Sequence, residues 1–138
     1  MPVEQIDLEA LIAAGAWQMW SFGPSLLHND GTAILDNNDF SSAELKNENP
    51  RTVFGYAEPG HYFFVMVEGR NKLGSRGMTL LELSGLMASL GCKVAYNLDG
   101  GGTSSMAAPG FGLISSGSGR NCSDIVFIVE DYAALEQP

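Results

Sequence analysis

Hydrophobic residues recur along the chain at two spacings, which predict helices and strands. Residues 79–90 give the clearest helix, because leucine and methionine share one face at Leu80, Leu83, Leu86, Met87 and Leu90. Thr79 and Glu82 have the spacing of a capping box, and Gly91 can supply a left-handed stop. A shorter helix is predicted over residues 7–15, with an aspartate at its start and a glycine at its end.

Short apolar runs between turn signals predict the strands. Residues 53–57 and 62–67 form two strands joined by a Pro-Gly turn, and the continuous apolar run of 62–67 predicts burial on both faces. Two more strands are predicted over residues 93–97 and 124–130. The sequence Asn-Asp-Gly at positions 29–31 predicts a tight hairpin turn, and polar or glycine-rich loops are predicted at 36–48 and 110–119.

These elements predict one α+β domain over residues 1–138. We expect a mixed or mostly antiparallel sheet, with the helix at 79–90 packed on one face. A length of 138 residues fits one domain, and 45% hydrophobic residues are enough for a core. The 17 glycines indicate tight turns, or main chain that approaches a ligand closely.

The charge balance narrows the classes of function. Sixteen acidic residues against seven basic ones give a net charge of −9, which repels phosphate backbones and excludes general nucleic-acid binding. No apolar run is long enough to span a bilayer, and residues 1–9 lack the pattern of a signal peptide. Cys92 and Cys122 are predicted to be two free buried thiols, although the sequence leaves a disulfide open.

The most informative segment follows the strand predicted at 93–97. That strand brings Asp99 to its end, and Gly100, Gly101 and Gly102 then let the main chain bend and approach a bound group. Main-chain amides and the hydroxyls of the residues that follow, Thr103, Ser104 and Ser105, are suited to an anion. The alternative is a plain glycine turn capped by Asp99. A nucleotide-type phosphate loop is excluded, because no lysine follows the last glycine.

Arginines stand at the edges of the predicted strands, at positions 51, 70 and 120, and Arg76 lies in a nearby loop. A guanidinium group can bind two phosphate oxygens at once, so these residues are candidate anion ligands. The alternative for each is that it binds a main-chain carbonyl or pairs with a surface carboxylate.

Five motifs in register carry a resemblance to a known family. They are Phe22-Gly23-Pro24, residues 49–55 (NPRTVFG), Glu68-Gly69-Arg70, residues 75–83 (SRGMTLLEL) and residues 97–106 (NLDGGGTSSM). Together they resemble the phosphodiester glycosidase family, which includes the mannose 6-phosphate uncovering enzyme and bacterial proteins labelled as exopolysaccharide biosynthesis proteins. The resemblance extends from about residue 20 to residue 130, most of the chain.

The resemblance implies hydrolysis of the bond between a sugar's anomeric carbon and a phosphodiester. By position, Arg51 and Arg70 would neutralise the departing phosphate, and Asp99 would be the carboxylate beside the anomeric carbon, with Glu68 a second catalytic carboxylate. The residues implied to hold the phosphate or the sugar are Asn97, Gly100, Gly101, Gly102, Thr103, Ser104 and Arg120. The implied partner is a small or glycan phosphodiester.

The sequence departs from the family pattern at two points. The family has aspartate before Gly-Arg, whereas this chain has Glu68, and one additional methylene can misplace a ligand by about an ångström. The family also carries a longer segment upstream of the Phe-Gly-Pro motif. We therefore keep three alternatives: an active hydrolase, a sugar-phosphate binding module without turnover, and a partial domain completed by self-association or by another chain.

The sequence gives less information about a cofactor and about the cellular compartment than about the family. Oxygen ligands from Asp99 and Asn97 would suit calcium or magnesium, but no ligand loop is visible, so a divalent cation stays an open expectation. His28 and His61 are far apart and lack ligand spacing. Family members are commonly exported, and the sequence does not give the compartment of this chain.

Overall fold

The computed structural model describes residues 6–16, 18–36, 40, 47–115, 118–122 and 124–129. Within these ranges the helices are α1 (Leu8–Ala13) and α2 (Leu80–Ser89), and two short 3-10 turns occur at Lys72–Gly74 and Gly101–Thr103. The strands are β1 (Arg51–Glu58), β2 (His61–Val67), β3 (Val94–Leu98), β4 (Met106–Ala108) and β5 (Gly112–Ser115). The predicted α+β class is confirmed.

The main sheet has the order β2-β1-β3, and both neighbours run antiparallel to β1. Val53 lies opposite Val65 on one side and Asn97 on the other. Residues 23–26 follow the outer edge of β3, where the amides of Gly23 and Leu26 donate to main-chain carbonyls of that strand. A second antiparallel pair, β4-β5, follows the glycine turn. Every strand pair in the described ranges is antiparallel, as the sequence predicts.

One face of the sheet packs against α2. Alternate residues of β1 are buried, namely Arg51, Val53, Gly55 and Ala57. The helix contributes three fully buried side chains, Leu80, Leu83 and Met87, to the same hydrophobic cluster. Glycine is required at position 55, because a Cβ there would lie 2.6 Å from Cε of Met87. The predicted helix face is thus buried at Leu80, Leu83 and Met87 and partly buried at Leu86, whereas Leu90 is exposed.

The start of α2 has the predicted capping box. The Thr79 hydroxyl accepts from the Glu82 amide at 3.2 Å, and the Glu82 carboxylate accepts from the Thr79 amide at 2.9 Å. Arg76 forms ion pairs with Glu82 and Glu48. The hydrogen bond from Arg76, followed by those from Thr79, lowers the pKa of Glu82 to about 2. At the other end Gly91 takes a positive φ of 78°, as expected for a left-handed stop.

The turn predicted at 29–31 is present, but the residues beside it form a single bridge and not a two-stranded hairpin. The His28 amide donates to the Thr32 carbonyl at 3.0 Å, and Leu27 forms a single antiparallel bridge with Ala33. The fully buried Ser84 of α2 holds this segment on the core: its hydroxyl donates to the Leu26 carbonyl, and it accepts from the amide of residue 34 at 2.8 Å. Of the loop predicted at 36–48, positions 37–39 and 41–46 lie outside the described residues.

Several predictions about exposure and strand content were wrong. β2 is exposed or half-buried throughout, because it forms an edge of the described sheet. Residues 124–129 form no strand, and the predicted loop at 110–119 contains β5. Cys92 is a buried free thiol, whereas Cys122 is a free thiol at the surface. Apolar runs specify burial only when a second layer covers them.

The second face of the sheet is rich in aromatic side chains. The Phe54 ring contacts Trp20 edge to face at 4.6 Å between centroids and stacks on Tyr62 at 5.7 Å. This face borders an open groove of about 570 Å³, which is also lined by Phe64 and by residues 126–128. Trp20 and Tyr62 remain exposed there. No helix in the described residues is long and apolar enough to cross a membrane.

Candidate functional site

A polar cleft lies at one end of the main sheet. Because β1 is antiparallel to both neighbours, its first residues meet the ends of β2 and β3 at the same edge. The cleft has a volume of about 140 Å³ and is lined by Pro50, Glu68, Gly69, Arg70, Lys72, Gly101, Ser104 and Ser118. Segments far apart in sequence are thus brought to one site, among them the Glu-Gly-Arg motif and the glycine turn.

The glycine turn packs tightly on the start of β1. The Gly101 amide donates to the Pro50 carbonyl at 3.0 Å, and a Cβ at Gly100 would lie 2.8 Å from the same oxygen. Gly101 has a positive φ of 59°, and a Cβ there would lie 3.0 Å from Nη2 of Arg70. Glycine is therefore needed both for the left-handed backbone and for the close approach of the Arg70 side chain.

Arg70 brings a positive charge to the cleft directly above Gly101. Its backbone is left-handed, with φ of 57°, and the residue is exposed. Among the residues that the structure describes, no carboxylate lies within ion-pair distance of the Arg70 guanidinium. This arginine therefore has donors available for a ligand, in contrast to Arg51, Arg76 and Arg120.

Glu68 and Lys72 form an ion pair within the cleft. The Lys72 Nζ lies 3.3 Å from a Glu68 carboxylate oxygen, and the Glu68 side chain is 18% exposed. The hydroxyl of Ser75 donates to the Glu68 main-chain carbonyl at 2.6 Å, which holds the two ends of this loop together. The predicted carboxylate Glu68 and the predicted cation Arg70 therefore share one cleft.

Asp99 is held at the start of the glycine turn. One carboxylate oxygen accepts from the Gly100 amide at 2.9 Å, and the other pairs with Arg120. Nη2 of Arg120, which forms this ion pair, also lies 3.4 Å from the Gly100 carbonyl oxygen and from the Thr103 hydroxyl oxygen. The Asp99 side chain is 43% exposed, so its carboxylate is accessible. The structure brings together three predicted residues here, Asp99, Arg120 and Thr103.

Arg51 is placed differently from the other predicted arginines. It is 3% exposed, and its guanidinium donates to the Met78 carbonyl at 2.9 Å and to the Asn47 carbonyl at 2.6 Å. Burial lowers its pKa from the ordinary arginine value. These contacts match the alternative considered for each arginine, the binding of main-chain carbonyls. Arg51 is absent from the residues that line the cleft, although its neighbour Pro50 is present.

The remaining predicted residues lie in or beside the turn. Asn97 is 1% exposed, donates to the Gly23 carbonyl at 2.9 Å, and has a buried side-chain oxygen without a hydrogen-bond partner among the described residues. Ser104 is buried at the cleft wall, where the Thr52 hydroxyl lies 3.4 Å away. A Cβ at Gly102 would lie 2.7 Å from the Ser118 hydroxyl oxygen. Asn97 thus fixes the Phe-Gly-Pro segment against β3.

Sequence reasoning missed Lys72 and Ser118, which the structure places in the cleft. The spacing of four between Glu68 and Lys72 was a weak signal, because no helix was predicted there. No signal could have located Ser118, since its position depends on how a glycine-rich loop folds back. In the described ranges, no three histidine, cysteine or acidic residues form a group that could hold a metal ion.

Comparison with known proteins shows the family to which the chain belongs. A family model described as phosphodiester glycosidase matches residues 3–129, which begins upstream of the resemblance seen from about residue 20. An uncharacterized SPbeta prophage-derived protein of Bacillus subtilis (strain 168), YomE, is 32% identical over 126 residues, 90% of this chain and 19% of that protein. The crystal structure of a hypothetical protein from Synechocystis is 30% identical, with a TM-score of 0.53 over 69% of this chain and 17% of that one.

The chain therefore spans less than a fifth of the length of either similar protein. The family model, in contrast, covers nearly all of this chain, including the Glu-Gly-Arg motif, the start of α2 and the glycine turn. Two of these segments, the Glu-Gly-Arg motif and the glycine turn, line the cleft. The chain belongs to the phosphodiester glycosidase family.

Proposed function

We propose that this chain hydrolyses a sugar-1-phosphodiester, cleaving the bond between the anomeric carbon and the phosphate oxygen. The observation that carries this proposal is the position of Arg70, whose guanidinium lies over Gly101 and has no carboxylate partner in the described residues. An arginine above a glycine turn offers a planar set of donors to phosphate oxygens. Family membership is consistent with this substrate class.

The charge of the cleft supports a singly charged anion. Its charged lining residues are Glu68, Arg70 and Lys72, with two positive charges and one negative, so the lining carries a net charge of +1. The whole chain carries −9. A phosphodiester has one negative charge, so this cleft is the electrostatically favourable place for it on an acidic protein.

In this proposal the carboxylates and the cations have separate tasks. Arg70 neutralises the phosphate, and Asp99, which pairs with Arg120, stabilises positive charge at the anomeric carbon or attacks it. Glu68 is the second carboxylate. Phosphate is a good leaving group, so most of the rate enhancement comes from electrostatic positioning. Arg51 takes a positioning role through the carbonyls of Met78 and Asn47 rather than the phosphate contact that the sequence suggests.

The site of bond cleavage provides the test. The substrate is methyl glucose-1-phosphate, the diester that carries its methyl group on the phosphate. It is incubated in ¹⁸O-labelled water with the 138-residue chain and, in parallel, with the Asp99→Ala variant. We expect release of methyl phosphate and label in the sugar, with turnover lost in Asp99→Ala. Label in the phosphate would identify a phosphodiesterase and contradict the proposal. If wild type is inert but the diester raises its melting temperature, the binding-module alternative is the better account.

A second candidate role comes from the aromatic face of the sheet. Phe54, Tyr62 and Phe64 border an apolar groove in which the described residues include no charged side chain. Exposed apolar surfaces of this kind mark protein interfaces, which favours the alternative that a second polypeptide covers this face. The mass in solution at micromolar concentration tests it: a stable dimer supports self-association, and a stable compact monomer contradicts it.

A further inference from the structure

Lys72 lies in the cleft without any role in the family resemblance. It begins the short turn Lys72–Gly74 that follows β2, and it lines the same cleft as Arg70, Gly101 and Ser104. Its side chain is 42% exposed, with Nζ 3.3 Å from the Glu68 carboxylate. An ammonium group on a four-carbon chain can shift by several ångströms without any change in the backbone.

The backbone that carries Lys72 has an unusual conformation. In the described residues, the non-glycine positions with positive φ are Arg70 (57°), Asn71 (63°) and Leu73 (51°), and all three lie in this loop. Left-handed backbone is unfavourable for residues with a Cβ and tends to occur at binding and catalytic sites. The conformation places both Arg70 and Lys72 at one cleft, although they are only two residues apart.

Hydrogen bonds fix this loop at both ends. The Lys72 amide donates to the Gly69 carbonyl at 3.1 Å, and the Ser75 amide donates to the Lys72 carbonyl at 2.9 Å. The Asn71 amide donates to the Ser75 carbonyl at 2.9 Å. The strained backbone is therefore held in place by hydrogen bonds within its own loop. The side chains of Arg70 and Lys72 extend to the cleft from this fixed main chain.

We infer that Lys72 is a second phosphate-binding cation, which is shared between the Glu68 carboxylate and the phosphate when a phosphodiester occupies the cleft. This inference rests on the proposed function, because it concerns the same ligand. Glu68 is largely buried, so a phosphate entering beside it needs a further positive charge to offset carboxylate–phosphate repulsion. Lys72 is the cleft residue that can supply this charge, since Arg70 approaches from the side of Gly101.

The first test compares the binding of methyl glucose-1-phosphate to the 138-residue chain and its Lys72→Met, Lys72→Arg and Lys93→Met variants by titration. Lys93 is an exposed lysine before β3, and Lys93→Met is the matched control. We expect Lys72→Met to raise Kd about tenfold, because one charge-assisted hydrogen bond is lost. The Kd of Lys72→Arg should stay within about threefold of the wild-type value. Lys93→Met should bind like wild type. Equal Kd values for Lys72→Met and wild type would overturn the inference.

A second variant keeps the inference testable if Lys72→Met folds poorly. Glu68→Gln removes the competing carboxylate, so it should tighten diester binding by a few-fold while Lys72 is present. Glu68→Gln/Lys72→Arg should retain that gain. Unchanged or weaker binding in Glu68→Gln would overturn the shared-cation arrangement. If wild type neither binds nor cleaves the diester, the proposed function itself fails; if wild type binds and only the Lys72 predictions fail, the proposed function stands alone.

Discussion

The connection between β2 and α2 carries two arginines whose surroundings differ. At the helix end, Arg76 pairs with Glu48 and Glu82, and the same glutamate closes the capping box of α2. At the strand end, Arg70 has a left-handed backbone and lies over Gly101 without a carboxylate partner among the described residues. Only six positions separate them, yet Arg76 completes a structural cluster, whereas Arg70 lines the cleft.

The difference teaches that the carboxylate partners, and not the local sequence, distinguish the two arginines. Both residues adjoin glycine, in Gly69-Arg70 and in Arg76-Gly77, and both were candidate anion ligands. A helix start supplies acidic side chains for Arg76, because acidic residues are favoured in the first turn. The strand end places the glycine turn beside Arg70. Variants on the two sides should therefore separate stability from binding.

The largest expected effect is on the helix side, at Gly77. It has φ of 97°, and a Cβ there would lie 2.5 Å from the Asn49 carbonyl oxygen. Gly77→Ala should lower the free energy of unfolding by about 3 kcal/mol or more, because left-handed alanine and a main-chain clash add together. Gly60→Ala is the matched control, since Gly60 has φ of 80° and nothing within 4 Å of the added Cβ. It should cost about 1 kcal/mol. Similar denaturation midpoints for both variants would contradict the clash.

The second largest effect should be a loss of ligand affinity without a comparable loss of stability. Arg70→Met should weaken the affinity for methyl glucose-1-phosphate about 10- to 100-fold, because charged hydrogen bonds to phosphate are lost. Its Tm should not drop by a large amount. Arg76→Met should lower Tm and leave the affinity within about twofold. Titration and thermal melts of the two variants provide the measurement. A comparable loss of affinity in Arg76→Met would remove the distinction between the two arginines.

A smaller effect tests the cap itself. Thr79→Ala removes the hydroxyl that accepts from the Glu82 amide, and should cost about 1 kcal/mol of unfolding free energy. Thr79→Ser retains the hydroxyl and should stay within a few tenths of a kcal/mol of wild type. Chemical denaturation of the three proteins is the measurement. Equal losses in both variants would show that the threonine methyl, rather than the cap, matters.

The smallest effect is the pH dependence of the same cluster. The folded pKa of Glu82 is about 2, below its ordinary value of 4.5, chiefly because of the hydrogen bond from Arg76. Its contribution to stability is therefore fully present above about pH 4.5 and is lost as pH falls towards 2, where the unfolded chain binds the proton first. Solvent screening keeps the effect small. The stability gap between wild type and Glu82→Gln should shrink from pH 7 to pH 3, and a constant gap would contradict the assignment.

Local sequence rules predicted elements whose causes are local. The capping box of Thr79 and Glu82, the stop at Gly91 and the apolar face of α2 depend on residues a few positions apart. The structure confirms the first two, and it confirms the apolar face except at Leu90, which is exposed. The bounds of β1 and β3 differ from the predictions by one or two residues. Predictions that required knowledge of a covering layer failed, as for the burial of β2 and the strand at 124–130.

The candidate site was only partly predictable for the same reason. The sequence indicated Asp99, Glu68, Arg70 and the glycine turn as a group, and the structure places Glu68, Arg70 and Gly101 at one cleft. The sequence left the binding of a main-chain carbonyl open for every arginine but did not single out Arg51, since its burial depends on residues 47 and 78 folding beside it. Contacts across the chain cannot be derived from spacing alone.

The sequence by itself determined the family, the α+β class, the position of α2 and the glycine turn after a strand, because each is encoded in short-range patterns or in motif order. Only the tertiary structure decided which cation faces the cleft and which is bound by the protein itself. Antiparallel pairing brings the start of β1 to the ends of β2 and β3, and that convergence brings the Glu-Gly-Arg motif and the glycine turn to one cleft.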